Sequence, residues 1–198
     1  MTLAIRGFAS KIAQALIDIL PEGETAVPVE RGKIVNDAER YLFCDGMLMP
    51  KRVSAQTAKE RGDSFIANCA NTIEACDMII ATNPDARICV IGSESAFCWS
   101  YDASYAAAKA GLHRYVETKA LSSKAQQLVC VAPSIIWDAG MTERRDDLDV
   151  LECKRLKHPK GRFLTSAEVA ALVHHVLYVD KGYLSGVVIR MNGGAHTR

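Results

Sequence analysis

Short apolar runs alternate along this chain with longer stretches whose apolar residues recur every three or four positions. The first pattern suits buried strands and the second amphipathic helices. Thr2 to Arg6 reads as a strand. After Gly7, the positions Ile12, Leu16, Ile17 and Leu20 mark one helix face, which Pro21-Glu22-Gly23 ends. Ala26 to Val29 and Arg40 to Cys44 read as two more strands, the second stopped by Asp45-Gly46. A short helix is expected over 56–60 and a long, largely apolar one over 65–80. Asn83-Pro84-Asp85 then turns the chain into a strand over 87–91. A helix from about 103 to 119 and a strand over 127–131, interrupted by Pro133, come next. Residues 138–164 are polar and charged with little periodicity, and read as a loop or lid. Ser166-Ala167-Glu168 opens a helix to about Tyr178, and 186–191 is a last strand.

Strands alternating with helices predict a mostly parallel sheet covered on both faces. The expected fold is α/β: one doubly wound, Rossmann-type sheet in a three-layer α/β/α arrangement over residues 1–198. No repeat, low-complexity segment or interdomain linker argues for a second domain.

Composition narrows the function classes. The chain has 198 residues, of which 49% are apolar, enough for a substantial core. A formal charge of +1, with scattered lysines and arginines, gives no electrostatic support for nucleic-acid binding. The seven cysteines stand singly, mostly in apolar runs, with no Cys-x-x-Cys pair. That usage reads as buried reduced thiols and gives no metal site. No run reaches the ~18 apolar residues of a membrane span, and no leader pattern precedes the first strand, so a soluble cytoplasmic protein is expected.

The candidate chemistry sits in Ser104-Tyr105-Ala106-Ala107-Ala108-Lys109. Four residues apart on a helix, Tyr105 and Lys109 share one face. A phenol titrates near pH ~10 in water, and a cation one turn away favours the phenolate and brings it toward a useful range. In a doubly wound sheet, ligands bind beyond the carboxyl ends of the strands. Ser93 closes the strand before the Tyr105 helix, where its hydroxyl could polarise a carbonyl while Tyr105 moves the proton. Ser95 is the competing hydroxyl, and a cap or turn role is open for both.

These residues and their order resemble the short-chain dehydrogenase/reductase family of the classical type. Ile91-Gly92-Ser93 looks like the family's strand with its catalytic serine, and Asn68 sits where the family carries its helix asparagine. Val131-Ala132-Pro133-Ser134 with Gly140-Met141-Thr142 is similar to the family's Pro-Gly segment and following Thr. The stretch from Gly161-Arg162-Phe163 to Met191-Asn192-Gly193-Gly194 resembles its C-terminal signature. The resemblance implies Tyr105 as general acid/base and Lys109 as the residue that lowers its pKa and holds the nicotinamide ribose. Ser93 would orient the substrate oxygen, and Asn68 would hold a water in the proton relay. It implies NAD or NADP as cofactor and a small alcohol or carbonyl as substrate. A homodimer or homotetramer through the helices at 65–80 and 103–119 is also implied.

The cofactor half departs from the family pattern. Where the family has Thr-Gly-x-x-x-Gly-x-Gly, this chain has Arg6-Gly7-Phe8-Ala9-Ser10-Lys11-Ile12-Ala13. Gly7, Ser10, Lys11 and Ile12 are the corresponding cofactor candidates, and the Lys11 side chain either neutralises phosphate or obstructs the site. The family's Asn-Asn-Ala-Gly is Phe43-Cys44-Asp45-Gly46, which leaves Gly46 as a candidate and brings the Asp45 charge near a dinucleotide. Pro133 is a further candidate. Glu30 ends the second strand, where an acid would bond a ribose 2′-hydroxyl and favour NAD. Arg31 beside it could instead meet a 2′-phosphate, and a solvated Glu-Arg turn is the third reading. Between Glu30 and Arg40 there is too little chain for the family's third strand and its helix, so the sheet is expected to lack one edge strand. Two readings follow. One is an NAD(P)-dependent oxidoreductase interconverting an alcohol and a carbonyl; the other is a non-enzymatic scaffold or binding protein of the same fold that has lost its dinucleotide, with its first turn filled by Lys11, Phe8 or Phe43.

Overall fold

The computed structural model describes residues 1–30, 33, 38–49, 51–98 and 100–195. Among them, six strands form one parallel sheet: β1 (Thr2–Arg6), β2 (Thr25–Pro28), β3 (Arg40–Phe43), β4 (Arg87–Ile91), β5 (Gln127–Pro133) and β6 (Val187–Met191). Their order is β2-β1-β3-β4-β5-β6, so the chain reverses its direction of travel across the sheet at β1. β2 forms the edge beyond β1 among the described residues, with no further strand outside it.

Side-chain alternation in the strands divides the core into two layers. Ala4, Tyr41, Phe43, Ile88, Val90, Leu128 and Cys130 face one side. There they meet Cys76, Ile79 and Ile80 of α3 (Asn71–Thr82) and Ala108, Leu112 and Val116 of α4 (Ala103–Thr118). Leu3, Ile5, Leu42, Cys89, Ile91, Val129 and Val131 face the other side. They pack on Ile12, Ala13 and Leu16 of α1 (Lys11–Ile17) and on Val169, Ala170 and Val173 of α7 (Ser166–His174). β4 and β5 are buried on both faces, which is why they read as continuous apolar runs.

Two expectations from the sequence change here. The helices expected at 56–60 and 65–80 are one helical run: α2 (Ala58–Phe65) passes through a π-turn, Ile66–Ala70, into α3. Thr57 and Glu60 begin it with a reciprocal capping box. The stretch 138–164 carries two helices, α5 (Gly140–Glu143) and α6 (Leu148–Lys157). Of α6's ten residues only Leu151 is buried, so the apolar periodicity that reveals a core-facing helix is missing from its sequence. No helix among the described residues is long and apolar enough to cross a membrane.

Candidate active site

With every strand parallel, the carboxyl ends of β1, β3 and β4 lie along one edge of the sheet, and Tyr105 enters that edge from the first turn of α4. Asp102 sets this turn. Its carboxylate, 1% exposed, accepts the Tyr105 amide at 3.0 Å and lies 2.6 Å from the Ser104 hydroxyl. It also accepts the Met49 amide at 2.9 Å and Gln56 Nε2 at 3.1 Å, tying the segment after β3 to the helix start. Burial pushes the Asp102 carboxyl up, but these hydrogen bonds outweigh it and hold the group below its usual range.

Tyr105 is half-buried, and Lys109 Nζ lies 5.8 Å from the centre of its ring. The Lys109 side chain is 3% exposed and donates to the Ile91 carbonyl at the end of β4, 2.8 Å away. One turn further along the same helix face, His113 Nε2 accepts the Ser93 amide at 3.2 Å. The Ser93 hydroxyl caps a short 3₁₀ turn, Glu94–Ala96; it accepts the Ser95 amide at 3.2 Å and lies 2.8 Å from the Ser95 hydroxyl. Thus both candidate serines present adjacent hydroxyls, and the Ser93 hydroxyl serves as a cap. Glu94 is buried and takes a two-pronged contact from Arg190, with Nε at 3.1 Å, plus Asn192 Nδ2 at 3.0 Å. Arg190 of β6 and Asn192 just after it thereby hold the serine turn.

Asn68 lies in the π-turn, and its amide is committed to backbone. Oδ1 accepts Met47 N at 2.7 Å, while Nδ2 donates to Met47 O and Ser64 O, each at 2.8 Å. Asn68 therefore fixes the segment after Gly46, and Met141 of α5 packs over that glycine.

The first turn keeps its shape despite its altered sequence. Gly7 adopts φ +86, and a Cβ there would stand 2.6 Å from Asp45 N, so only glycine lets this turn close on the end of β3. Ser10 caps α1 by accepting the Ala13 amide at 3.1 Å. The Cys44 thiol sits inside the turn, 3.3 Å from the carbonyls of Arg6 and Gly7, and burial pushes its pKa up to about 12. Ile12 is a core residue beneath the turn, whereas Lys11 is exposed. Of the two readings of Lys11, the exposed side chain at N1 of the helix agrees with the outward one.

The concern over Asp45 is corrected. Arg6 is 3% exposed; its Nε lies 3.0 Å from Asp45 Oδ1, and its other nitrogens donate to Asn71 O and Thr72 Oγ1 at 2.9 and 2.6 Å. The guanidinium also covers Phe43, 4.6 Å from the ring centre. Asp45 brings charge, and Arg6, an equally unusual residue at the end of β1, neutralises it inside the protein.

Two further candidates are described. Pro133 ends β5 beside Met191. Glu30 is exposed and paired with Lys33 at 2.6 Å. Arg31 lies outside the described residues. A cavity of about 370 Å³ opens beside the first turn of α4, with Arg52, Ser54, Cys98, Ser100, Tyr101 and Ala106 on its wall; Tyr105 is not on it.

The family model described as enoyl-(acyl carrier protein) reductase matches residues 51–196. The chain belongs to the short-chain dehydrogenase/reductase family. No curated protein matches it by sequence. Solved structures match along its whole length at low identity. An oxidoreductase of this family from Burkholderia thailandensis is 20% identical, with TM-score 0.81, and the match covers 93% of that chain. The ligand-free aldohexose dehydrogenase of Thermoplasma acidophilum is 16% identical, with TM-score 0.83 and 94% of that chain covered. ElxO, solved with NADP bound, is 14% identical, with TM-score 0.82 and 99% of that chain covered.

Within this candidate site, sequence reasoning passed over Asp102, His113, Glu94 with Arg190, and the Arg6–Asp45 pair. Two carried a readable signal. Asp102 stands three residues before Tyr105, where an N-cap acid belongs. His113 is four residues past Lys109, on the same helix face. The pairs that bridge distant segments carried none.

Proposed function

We propose that this family member is an NAD(P)-dependent oxidoreductase that interconverts an alcohol and a carbonyl, with Tyr105 as general acid/base. The supporting observation is the state of Lys109. Its ammonium is almost fully buried beside Tyr105, yet among the described residues it has one hydrogen bond, to Ile91 O. An ammonium has three N–H donors, and leaving two unmet away from water is costly. A ribose diol meets that need, so the residues present fit the nicotinamide end of a dinucleotide. The intact Gly7 turn and the outward Lys11 fit its phosphate end and weigh against the scaffold reading, which required a plugged turn. When bound, the nicotinamide supplies or accepts the hydride.

The chain's own residues divide the remaining work. Tyr105 gives a proton to the carbonyl oxygen or takes it from the alcohol, and Lys109 keeps positive charge under the ring and holds ribose hydroxyls. Ser93, with Ser95 at its side, donates to the substrate oxygen, while Asn68 fixes the floor of the site through Met47 and borders the relay. Glu30, which is exposed and paired with Lys33, would meet the adenosine ribose hydroxyl in the NAD reading.

Fluorescence titration with NADH and NADPH tests this reading; binding of neither at millimolar concentration would sink it. Tyr105→Phe is expected to keep dinucleotide affinity and lose roughly 10²-fold or more in turnover, the usual contribution of a positioned proton donor. Full turnover in that variant would refute the assignment of the tyrosine.

A further inference from the structure

We propose that His113 is a positioning residue for Ser93, holding the serine turn in place through its backbone; this rests on the oxidoreductase reading of the site. The end of β4 is gripped twice by one face of α4. Lys109 takes the Ile91 carbonyl at 2.8 Å, and His113 takes the Ser93 amide at 3.2 Å. Between these two contacts lies Gly92, where a Cβ would stand 2.2 Å from His113 Nε2 and 2.6 Å from Cys130 Sγ. The imidazole therefore lies flush against the backbone that carries the serine. It is 4% exposed and its ring lies 5.0 Å from that of Phe97, so it has little room to shift.

The direction of the hydrogen bond assigns the tautomer. An amide N–H can only donate, so Nε2 must be the bare nitrogen and Nδ1 carries the proton. Among the described residues Nδ1 is buried without a partner, so the ring forgoes one hydrogen bond there while making the other. Burial first and the Lys109 charge second lower the His113 pKa to about 4, against an opposing pull from Glu94, which keeps the acceptor form present at neutral pH. A serine acting on a substrate oxygen depends on sub-ångström placement, and His113 supplies one of its few fixed points.

Two variants separate positioning from packing. His113→Phe keeps the ring volume but removes the acceptor; His113→Gln restores an acceptor of similar reach. In the wild type, long-range ¹H–¹⁵N NMR is expected to show His113 as the neutral Nδ1–H tautomer; a protonated Nε2 overturns the proposal even if neither variant folds. In His113→Phe the Ser93 amide resonance is expected to move, and in His113→Gln to return most of the way. With phenanthrenequinone as carbonyl probe, His113→Phe is expected to lower kcat about tenfold or more at little-changed KM and dinucleotide Kd, and His113→Gln to recover most of it. An unmoved Ser93 amide in His113→Phe, or a kcat equally low in both variants, overturns it. If the wild type binds no dinucleotide, the oxidoreductase reading fails on its own account, and the Ser93 amide still decides whether His113 holds the serine.

Discussion

Arg6 and Asp45 each depart from what the family places at the ends of the first and fourth of its strands, and each offsets the charge of the other. A buried arginine without a carboxylate, or the reverse, leaves an uncompensated charge, which costs about 3–5 kcal/mol. Arg6→Thr and Asp45→Asn are each expected to destabilise the protein by that order in urea unfolding. The double variant is expected to be less destabilised than the sum of the singles by about 2 kcal/mol, the coupling of a contacting pair. Additive losses would show that the pair contributes nothing as a pair. The same contrast explains what the sequence could reveal at this scale. Tyr105 and Lys109 were legible because helix spacing alone places them together. The partner of Arg6 lies 39 residues away, and no local period connects the two. Read singly, Asp45 looked like a charge in the cofactor's way.

Among the elements, strands buried on both faces were the most legible, and β4 occurs over the expected residues. Elements defined by caps and by surface position were less so. The Asp102 carboxylate does two jobs at once, ending the loop after β4 and anchoring Met49 and Gln56 from the segment after β3. Loss of an N-cap alone costs about 0.5–2 kcal/mol, and each charge-assisted hydrogen bond adds about 1.5–3. Asp102→Ala is therefore expected to lose about 3 kcal/mol or more and to speed hydrogen exchange at Met49. Asp102→Asn, which keeps an acceptor oxygen, is expected to lose less than half of that. An alanine variant within ~0.5 kcal/mol of wild type, the range of ordinary surface changes, would mean the tie between the two segments is unimportant. α5 and α6 were hidden for the opposite reason: only Leu151 of the two is buried, so their sequences answer to solvent more than to packing.

For the whole molecule, the buried His113 links the geometry of the candidate site to acid stability. Its surroundings are Lys109 on the same helix, Glu94 on the serine turn, and Cys130 on β5, whose thiol burial pushes up to about 12 and so keeps neutral. The folded pKa of about 4 lies below the ordinary value of 6.5, so between these limits the unfolded chain binds a proton that the folded chain refuses. The contribution of this group is complete above the unfolded value and is lost as pH falls toward the folded one. Linkage puts the loss at about 2 kcal/mol between pH ~7.5 and pH ~5. For a chain of this size that lowers the melting temperature by about 4–8 °C. Asp77, Asp102 and Asp180 are each burdened by burial but held below the usual carboxylate range by hydrogen bonds or nearby cations. Their losses start only below their unfolded pKa of about 4, so the two windows separate. His113→Phe carries nothing to titrate, and its melting temperature is expected to be lower than that of the wild type at neutral pH yet flat down to about pH 5. A variant that keeps the wild-type slope would place the proton uptake on another group and leave the neutral state of His113 without support in solution.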